Sequence, residues 1–349
     1  MTLDRRTFLQ GLGAGALGAL TGAASAAEPP GRPALAAPGT AGFWASVRAQ
    51  YPLLDNPLYL NTGGLGPVSS AVLATVEETT RRLQEHSETG HALFEPVRAT
   101  LARFLGAQAD EVCFVRNATE GNSIIAAGLA LAPGDEVIFE SHAHPGGSFP
   151  WINQTKRRGV VVRLFEPDPG SAEGNLARIR ALVTPRTRVI QVSHLTCTTG
   201  LVFPVAAIAE FARARDLWFH VDGAQAAGMV PLDLSALGCD SYAMSGHKWL
   251  GGPHETGVLF LRRDRLEAVA STGIGSYSGE LAHLPGEIRY LGAAARHEYG
   301  TRNAALIAGL GAAVAFQEQI GRDRIAVHGA GLATRLGEEL GALPGIEVL

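Results

Sequence analysis

The chain has 349 residues, of which 46% are hydrophobic and 18% are charged, values typical of a globular protein rather than a disordered one. The formal net charge is −4, and Lys156–Arg158 is a short solvated cluster rather than part of a basic stripe. We therefore expect no nucleic-acid binding.

The N-terminus predicts export. Asp4–Leu9 is a twin-arginine motif, and it is followed by the apolar stretch Gly11–Ala23 and the small-residue cleavage pattern Ala24–Ala26. We expect residues 1–26 to be a signal peptide for the twin-arginine export machinery, which makes the mature protein periplasmic or secreted. The stretch is well short of the ~20 residues of a membrane-spanning helix, so no stable membrane anchor is expected. Residues 27–40, rich in Pro, Gly and Ala, predict a linker.

The elements that follow predict an α/β protein. Helices are predicted over Ser69–His86 and Leu93–Leu105, and strand-like and helix-like runs then alternate as far as Phe260. This alternation predicts a mostly parallel, doubly wound sheet within a large domain, residues 41–303. From residue 304 to residue 349 the pattern is helical and then predicts a loop that enters a strand.

Two of the predicted strands end next to groups suited to cofactor chemistry. Leu217–Val221 predicts a buried strand that ends at Asp222, and Ser241–Met244 predicts another that ends shortly before Lys248. Ligands of open α/β sheets bind beyond the carboxyl ends of the strands. Pyridoxal phosphate (PLP) requires an amine that forms a Schiff base and a carboxylate that keeps the pyridine nitrogen protonated. We predict a PLP site with these two residues, and the alternative is a surface lysine and a turn aspartate.

A third segment predicts a phosphate site. Asn117–Asn122 lies between a strand-like run, Glu111–Val115, and a helix-like run, Ser123–Leu131. Ala118 and Thr119 would offer backbone amides and a hydroxyl to phosphate at the N-terminus of a helix.

With these motifs, the chain resembles the class V family of fold-type I PLP-dependent enzymes, which includes aminotransferases, isopenicillin N epimerase and cysteine desulfurases. The resemblance runs from about residue 58 to the end. It implies a homodimer with shared active sites and a smaller C-terminal α/β domain that starts at residue 304 and is incomplete here. It also implies that the arginine for the substrate carboxylate lies in the missing part.

The resemblance assigns roles to further residues. His144 would stack on the pyridine ring, with His142 as the competing candidate, and Gln225 would contact the phenolic oxygen. His194 matches a position that often holds Asn near the same oxygen. The cofactor-binding residues implied are Ala118, Thr119, His144, His194, Asp222, Gln225, Ser245, His247, Lys248 and Thr301, with Lys248, Asp222 and His144 in the catalytic role.

Three residues are candidates for substrate contacts. Asn61 and Gly63 lie in a glycine-rich segment that would let a substrate carboxylate approach the backbone closely, and the alternative is a plain loop-to-helix turn. Thr301 resembles a residue that reaches the phosphate in the neighbouring subunit, and Arg302 stands where the family usually has proline. Its guanidinium would bind a phosphate or a substrate carboxylate, or point into solvent.

The resemblance implies an enzyme that acts on an amino acid through an external aldimine and a Cα carbanion, as an aminotransferase or an epimerase. A C–S lyase or cysteine desulfurase is the alternative. The family places the sulfur-accepting cysteine of desulfurases late in the chain, whereas the last cysteine here is Cys239. Cys113 and Cys239 are expected in the core and Cys197 is expected to be exposed. No Cys or His spacing predicts a metal site.

Two rival functions remain. One is an exported binding protein without catalysis, which has no need of a Schiff-base lysine. The other is a dinucleotide-dependent dehydrogenase, but the one matching glycine pattern, Gly13–Gly18, lies in the predicted signal peptide without a preceding strand.

Overall fold

The computed structural model describes residues 34–283 and 286–348. The predicted signal peptide and the first part of the predicted linker lie outside the described residues. The helices of at least one α-turn are α1 (Phe43–Arg48), α2 (Ser70–His86), α3 (Phe94–Leu105), α4 (Ala118–Gly128), α5 (Pro145–Arg158), α6 (Ala172–Leu182), α7 (Val205–Arg213), α8 (Leu234–Leu237), α9 (Ala304–Ile320) and α10 (Arg322–Gly341). The strands are β1 (Val112–Val115), β2 (Glu136–Glu140), β3 (Val161–Phe165), β4 (Thr187–Ser193), β5 (Trp218–Asp222), β6 (Ser241–Ser245), β7 (Gly257–Leu261), β8 (Gly279–His283) and β9 (Glu287–Tyr290).

The first seven strands form one sheet in the order β1-β7-β6-β5-β4-β2-β3. Strand β7 is antiparallel to both of its neighbours, and the other pairs are parallel. The mostly parallel sheet predicted from the alternating pattern is therefore confirmed. In the register, Ser193 pairs with Asp222 and Asp222 pairs with Ala243, so β4, β5 and β6 end side by side. Strands β8 and β9 form a separate hairpin.

Helices cover both faces of the sheet. On one face, Val192, Val221 and Tyr242 are buried in a core cluster with residues of α3, α6, α7 and α9. On the other face, Val189 and Leu259 pack in a second cluster with residues of α4 and α5. A strand buried on both faces reads as a continuous apolar run, which is why these strands are visible in the sequence.

Capping side chains decide where two of the helices begin. The Ser69 hydroxyl accepts a hydrogen bond from the amide of Val72, so α2 begins as predicted. The Asn117 side chain accepts one from the amide of Glu120 at 2.9 Å. This cap starts α4 at Ala118, five residues before the predicted Ser123, and it places Ala118 and Thr119 in the first turn.

The C-terminal helices differ from each other in burial. Leu310 and Val314 of α9 are fully buried in the main core, so the first helix of the predicted small domain packs with the large one. Helix α10 has no buried residue, and residues 344–348 form no strand, although the sequence predicts one there. Over residues 34–283 and 286–348, no single helix is long and apolar enough to cross a membrane; α9 and α10 meet that test only as a pair with a 76° bend.

Candidate active site

A cavity of about 650 Å³ opens at the carboxyl ends of the parallel strands. Loops that follow β2, β4, β5 and β6 supply much of its wall, together with the start of α4 and an N-terminal segment. This is the edge at which open α/β sheets bind ligands. The lining residues are Asn61, Gly63, Gly64, Asn117, Ala118, Thr119, His144, Leu195, Thr196, Cys197, Gly200, Asp222, Ala224, Gln225, Met229, Ser245, His247, Lys248 and Trp249.

Asp222 is the last residue of β5 and is 5% exposed. Its Oδ1 accepts a hydrogen bond from the Ala224 amide at 3.0 Å, and its Oδ2 accepts one from the Asn122 side chain at 2.9 Å. Burial raises the pKa of this carboxyl, and the two hydrogen bonds, Lys248 and His144 act against that rise. The carboxylate is thus held in one plane by donors on both oxygens and is stabilised by nearby positive charge.

Lys248 lies in the loop between β6 and β7. Burial lowers the pKa of its amine, and Asp222 opposes the shift. A lowered amine pKa favours the neutral form, which is the form that attacks a carbonyl carbon. An N-terminal segment fixes the backbone of the loop, because the Gly66 amide donates to the carbonyl of His247 at 2.7 Å. A Cβ at position 66 would lie 1.9 Å from the Lys248 carbonyl oxygen, so this contact requires glycine.

Gln225 has its side-chain amide fixed by two hydrogen bonds. Its Oε1 accepts from the Trp249 indole at 2.7 Å, and its Nε2 donates to the carbonyl of Gly63 at 2.9 Å. The orientation leaves the second Nε2 hydrogen as a donor toward a ligand. Gln225 therefore joins the predicted substrate segment to the loop of Lys248.

The far end of the cavity has the donors that suit a phosphate. The amide of Ala118, which was predicted to bind phosphate, donates to the Ser245 hydroxyl at 3.2 Å in this structure, so the start of α4 lies against the end of β6. Thr119 also lines this end, and the first N–H groups of a helix have no intrahelical acceptor. His247 lies beside them with its Nδ1 at 3.3 Å from the carbonyl of Thr256, and burial lowers its pKa.

His144 is the N-cap of α5 and lines the cavity, whereas His142 does not. The Nδ1 of His144 accepts a hydrogen bond from the Gly146 amide at 3.0 Å. Because Nδ1 is the acceptor, the ring proton of the neutral form is on Nε2. His142 instead lies 3.2 Å from Glu166, with which it makes an ion pair when protonated.

Three predicted residues are placed outside this cavity. The ring of His194 is buried against Tyr242, with Nδ1 at 2.9 Å from the phenol oxygen, so the ring turns away from the predicted cofactor contact. Arg302 donates to the carbonyl of Phe114 at 2.5 Å, so within one subunit it neither lines the cavity nor points freely into solvent. Thr301 is exposed, and its predicted contact with a neighbouring subunit stays a prediction.

The structure adds residues that the motifs did not predict. Cys197 is an exposed free cysteine, as expected, but it also lines the cavity and lies close enough to Lys248 to influence the pKa of its amine. Asn122 and His220 lie beneath Asp222. Their spacing was the available signal, since His220 is two residues before Asp222 in a strand and Asn122 is four after Ala118 in a helix.

The cavity fits PLP by the chemistry of its donors. It brings together an amine with a lowered pKa, a carboxylate with fixed orientation and a phosphate-type helix N-terminus, and about 650 Å³ is ample for a cofactor and a small substrate. Fold and site together indicate the class of α/β enzymes that use PLP.

Comparison with known proteins agrees with this class. The model of the family Aminotransferase class-V matches residues 70–349. A probable cysteine desulfurase of Methanothermobacter thermautotrophicus is 30% identical over 86% of this chain and 76% of its own length. Isopenicillin N epimerase of Amycolatopsis lactamdurans is 34% identical over 64% of this chain and 58% of its own.

Solved structures extend the likeness to three dimensions. A variant of C-DES with glycine covalently linked to its PLP cofactor superposes with a TM-score of 0.78 at 29% identity, over 85% of this chain and 80% of that one. C-DES is described as a cystine C–S lyase in a second structure with its product cysteine persulfide, with a TM-score of 0.77 over 84% and 81% of the two chains.

The chain belongs to the class-V aminotransferase family. It is a PLP-dependent enzyme of that class with the fold-type I architecture. The coarse prediction of fold and cofactor is confirmed, whereas the preference for an aminotransferase or epimerase is not, because many of the similar proteins are cysteine desulfurases.

Proposed function

We propose that the protein acts on a sulfur-containing amino acid, with Lys248 as the base that takes the proton from Cα, and that it breaks the C–S bond at Cβ. The observation that carries the acid–base part is the pairing of Lys248 and Asp222 in one cavity. PLP, when bound, supplies the electron sink for the charge left on Cα. Lys248 removes and returns the proton, and Asp222 holds the ring nitrogen in its protonated form.

Two observations support sulfur chemistry. The relatives that match 85% or more of this chain at 30–34% identity include cysteine desulfurases and probable cysteine desulfurases. The thiol of Cys197 lies in the cavity with Lys248. The last cysteine of this sequence is Cys239, but the fold brings an earlier one, Cys197, into the cavity that holds the lysine.

Epimerisation or amino transfer is the second candidate. It is favoured by the match to isopenicillin N epimerases, at 33–34% identity. Both reactions start with the same proton removal at Cα, so the residues named above serve either outcome.

Product analysis of the PLP-loaded protein tests the proposal. We expect L-cysteine or L-cystine to exchange the Cα hydrogen for deuterium in D₂O. β-Elimination releases sulfide from cysteine, or cysteine persulfide from cystine, together with pyruvate and ammonia. Transfer of the sulfur of cysteine to the thiol of Cys197 instead leaves alanine and a persulfide on that thiol. Lys248→Ala abolishes both signals, whereas Cys197→Ser keeps the exchange. Exchange without sulfur release, joined by inversion at Cα or formation of a keto acid, rejects C–S cleavage in favour of the second candidate. Absence of exchange with every amino acid rejects both.

We further propose that the working unit is a homodimer in which Thr301 reaches the partner's cofactor, and that the protein is exported by the twin-arginine route. The exposure of Thr301 and the signal motif at Asp4–Leu9 support these two proposals. Sedimentation of the mature protein tests the first, with a monomeric mass as the contrary result. Fractionation of cells that carry Arg5→Lys and Arg6→Lys together tests the second, with unchanged export as the contrary result.

A further inference from the structure

A chain of buried side chains runs beneath Asp222. The Trp218 indole donates to the Ser241 hydroxyl at 3.0 Å, and that hydroxyl lies 2.8 Å from Nδ1 of His220. On the other side of the ring, Nε2 of His220 lies 2.8 Å from Oδ1 of Asn122. The Asn122 Nδ2 then donates to Oδ2 of Asp222 at 2.9 Å. His220, Ser241 and Asn122 are fully buried.

The hydrogen atoms shared by these linked side chains have only one arrangement. Nδ2 of Asn122 donates to Asp222 and to the carbonyl of Gly146 at 3.1 Å, so its Oδ1 is an acceptor. His220 must then carry its proton on Nε2, and its Nδ1 must accept from the Ser241 hydroxyl. Burial lowers the pKa of His220 to about 3, so the ring is neutral and the tautomer is fixed.

We propose that His220 is a positioning residue for Asp222, because its Nε2–H prevents the Asn122 amide from turning over. A turned amide would place its oxygen against the Asp222 carboxylate and its NH₂ group against the Nε2–H of His220. The first contact would bring two acceptors together and the second would bring two donors together. In a buried site, each contact leaves groups without a hydrogen bond. This positioning role concerns the same PLP site and rests on the role of Asp222 in the proposed function.

No other side chain in the described structure replaces the hydrogen bond from Asn122 to Oδ2 of Asp222. The other oxygen of Asp222 is held by the backbone amide of Ala224, which no side-chain change removes. Gln191 lies on the same side, but its Nε2 has no partner in the described structure. Its Oε1 accepts from the Trp151 indole at 2.5 Å. Asn122 is therefore the side-chain donor that keeps Oδ2 charged, and His220 decides which way its amide faces.

A double-mutant cycle on PLP affinity tests the proposal. The dissociation constant is measured by equilibrium dialysis for the wild type, Asn122→Ala, His220→Leu and the double variant. We expect each single variant to bind PLP about tenfold or more weakly, since the hydrogen bond that is lost is made to a charged group and is stronger than one between neutral groups. Because His220 acts through Asn122, the double variant should bind no more weakly than Asn122→Ala.

Two variants separate this role from general damage to the core. His220→Gln keeps a side-chain N–H for Asn122 and should restore most of the affinity. His297→Leu removes another buried histidine, which contacts Ser271 and none of the linked side chains beneath Asp222. It should leave the affinity for PLP unchanged. Multiplied losses in the double variant, wild-type affinity of His220→Leu, or an equal loss in His297→Leu would each overturn the proposal.

The tautomer is a second readout that needs neither cofactor nor turnover. Nitrogen-15 NMR of the cofactor-free wild type should show His220 neutral from pH 6 to pH 8 with its proton on Nε2. A proton on Nδ1 overturns the proposal even where His220→Leu does not fold. Loss of catalysis with every amino acid, while the cycle and the tautomer come out as expected, would reject the proposed function and leave the positioning role standing.

Discussion

The stability advantage of Glu140→Gln over the wild type should be larger at alkaline pH than at acid pH. Glu140 ends β2 and is fully buried, and its Oε1 accepts a hydrogen bond from the Ser193 amide at 2.9 Å. Its Oε2 has no partner in the described structure. Burial raises the pKa of this carboxyl from 4.5 to about 7; hydrogen bonds from Ser193 oppose the rise, and the charge of Asp222 adds to it.

The sign and size of the effect come from proton linkage. Below the unfolded pKa of 4.5, both states hold the proton and Glu140 has no pH-dependent effect. Between about pH 4.5 and pH 7 the unfolded state releases this proton while the folded state keeps it, so the wild type loses about 3 kcal/mol of unfolding free energy. Above about pH 7 both states are ionised and the loss is complete. Roughly 2.5 kcal/mol of this loss develops between pH 5 and pH 8. Glutamine keeps the acceptor for Ser193 and has no proton to lose.

Urea unfolding of the cofactor-free protein measures the difference. The four tryptophans report the transition by fluorescence, and variant and wild type are compared at each pH. The gap in unfolding free energy should widen in favour of Glu140→Gln as the pH rises. Glu77→Gln, an exposed site on α2, is the control and should show a constant gap. A constant gap for Glu140→Gln as well would refute the reasoning, because Glu140 would then be ionised throughout.

Other substitutions probe the site and the core. Gly147→Ala should weaken PLP binding about tenfold or more, because a Cβ there would lie 2.7 Å from Oδ2 of Asp222. Buried groups accommodate that distance only by moving. Equilibrium dialysis measures the PLP affinity. Glu298→Ala should lower the unfolding free energy by about 3–5 kcal/mol. It removes the buried carboxylate that Arg98 contacts at 2.7 and 3.0 Å and leaves the exposed Glu95 as the remaining carboxylate partner of this buried guanidinium. Urea unfolding measures the loss.

Each of these has a matched control. Gly329→Ala adds the same methyl group to a helix, in α10, where nothing lies within 4 Å, and it should leave PLP affinity unchanged. Glu78→Ala breaks an exposed ion pair with Arg81 and should lower the unfolding free energy far less than Glu298→Ala does. Equal effects in a variant and its control would contradict the corresponding prediction.

The sequence was sufficient for the groups that sit at strand ends. Asp222 and Lys248 follow apolar runs, and the sheet then places both at one edge, which is a consequence of parallel pairing alone. The start of α4 was predicted too late because an Asn cap, rather than hydrophobic periodicity, determines it.

Side-chain direction at loops was not predictable from the pattern. His194 directly follows β4, and the structure turns its ring to Tyr242, whereas Cys197, three residues later, faces the cavity. Which of two loop residues faces a ligand depends on the packing around the loop, and neither periodicity nor spacing carries that information.

The contact between Gly66 and Lys248 joins segments that leave the ribosome far apart in time. The cavity is lined from Asn61 to Trp249, so its first wall is synthesised about 190 residues before its last. At about 5–20 residues per second, this interval is roughly 10–40 s. For most of that time the nascent chain has the early wall of the cavity but neither the carboxylate of Asp222 nor the amine of Lys248, so the complete cavity can form only after the loop of Lys248 has been made.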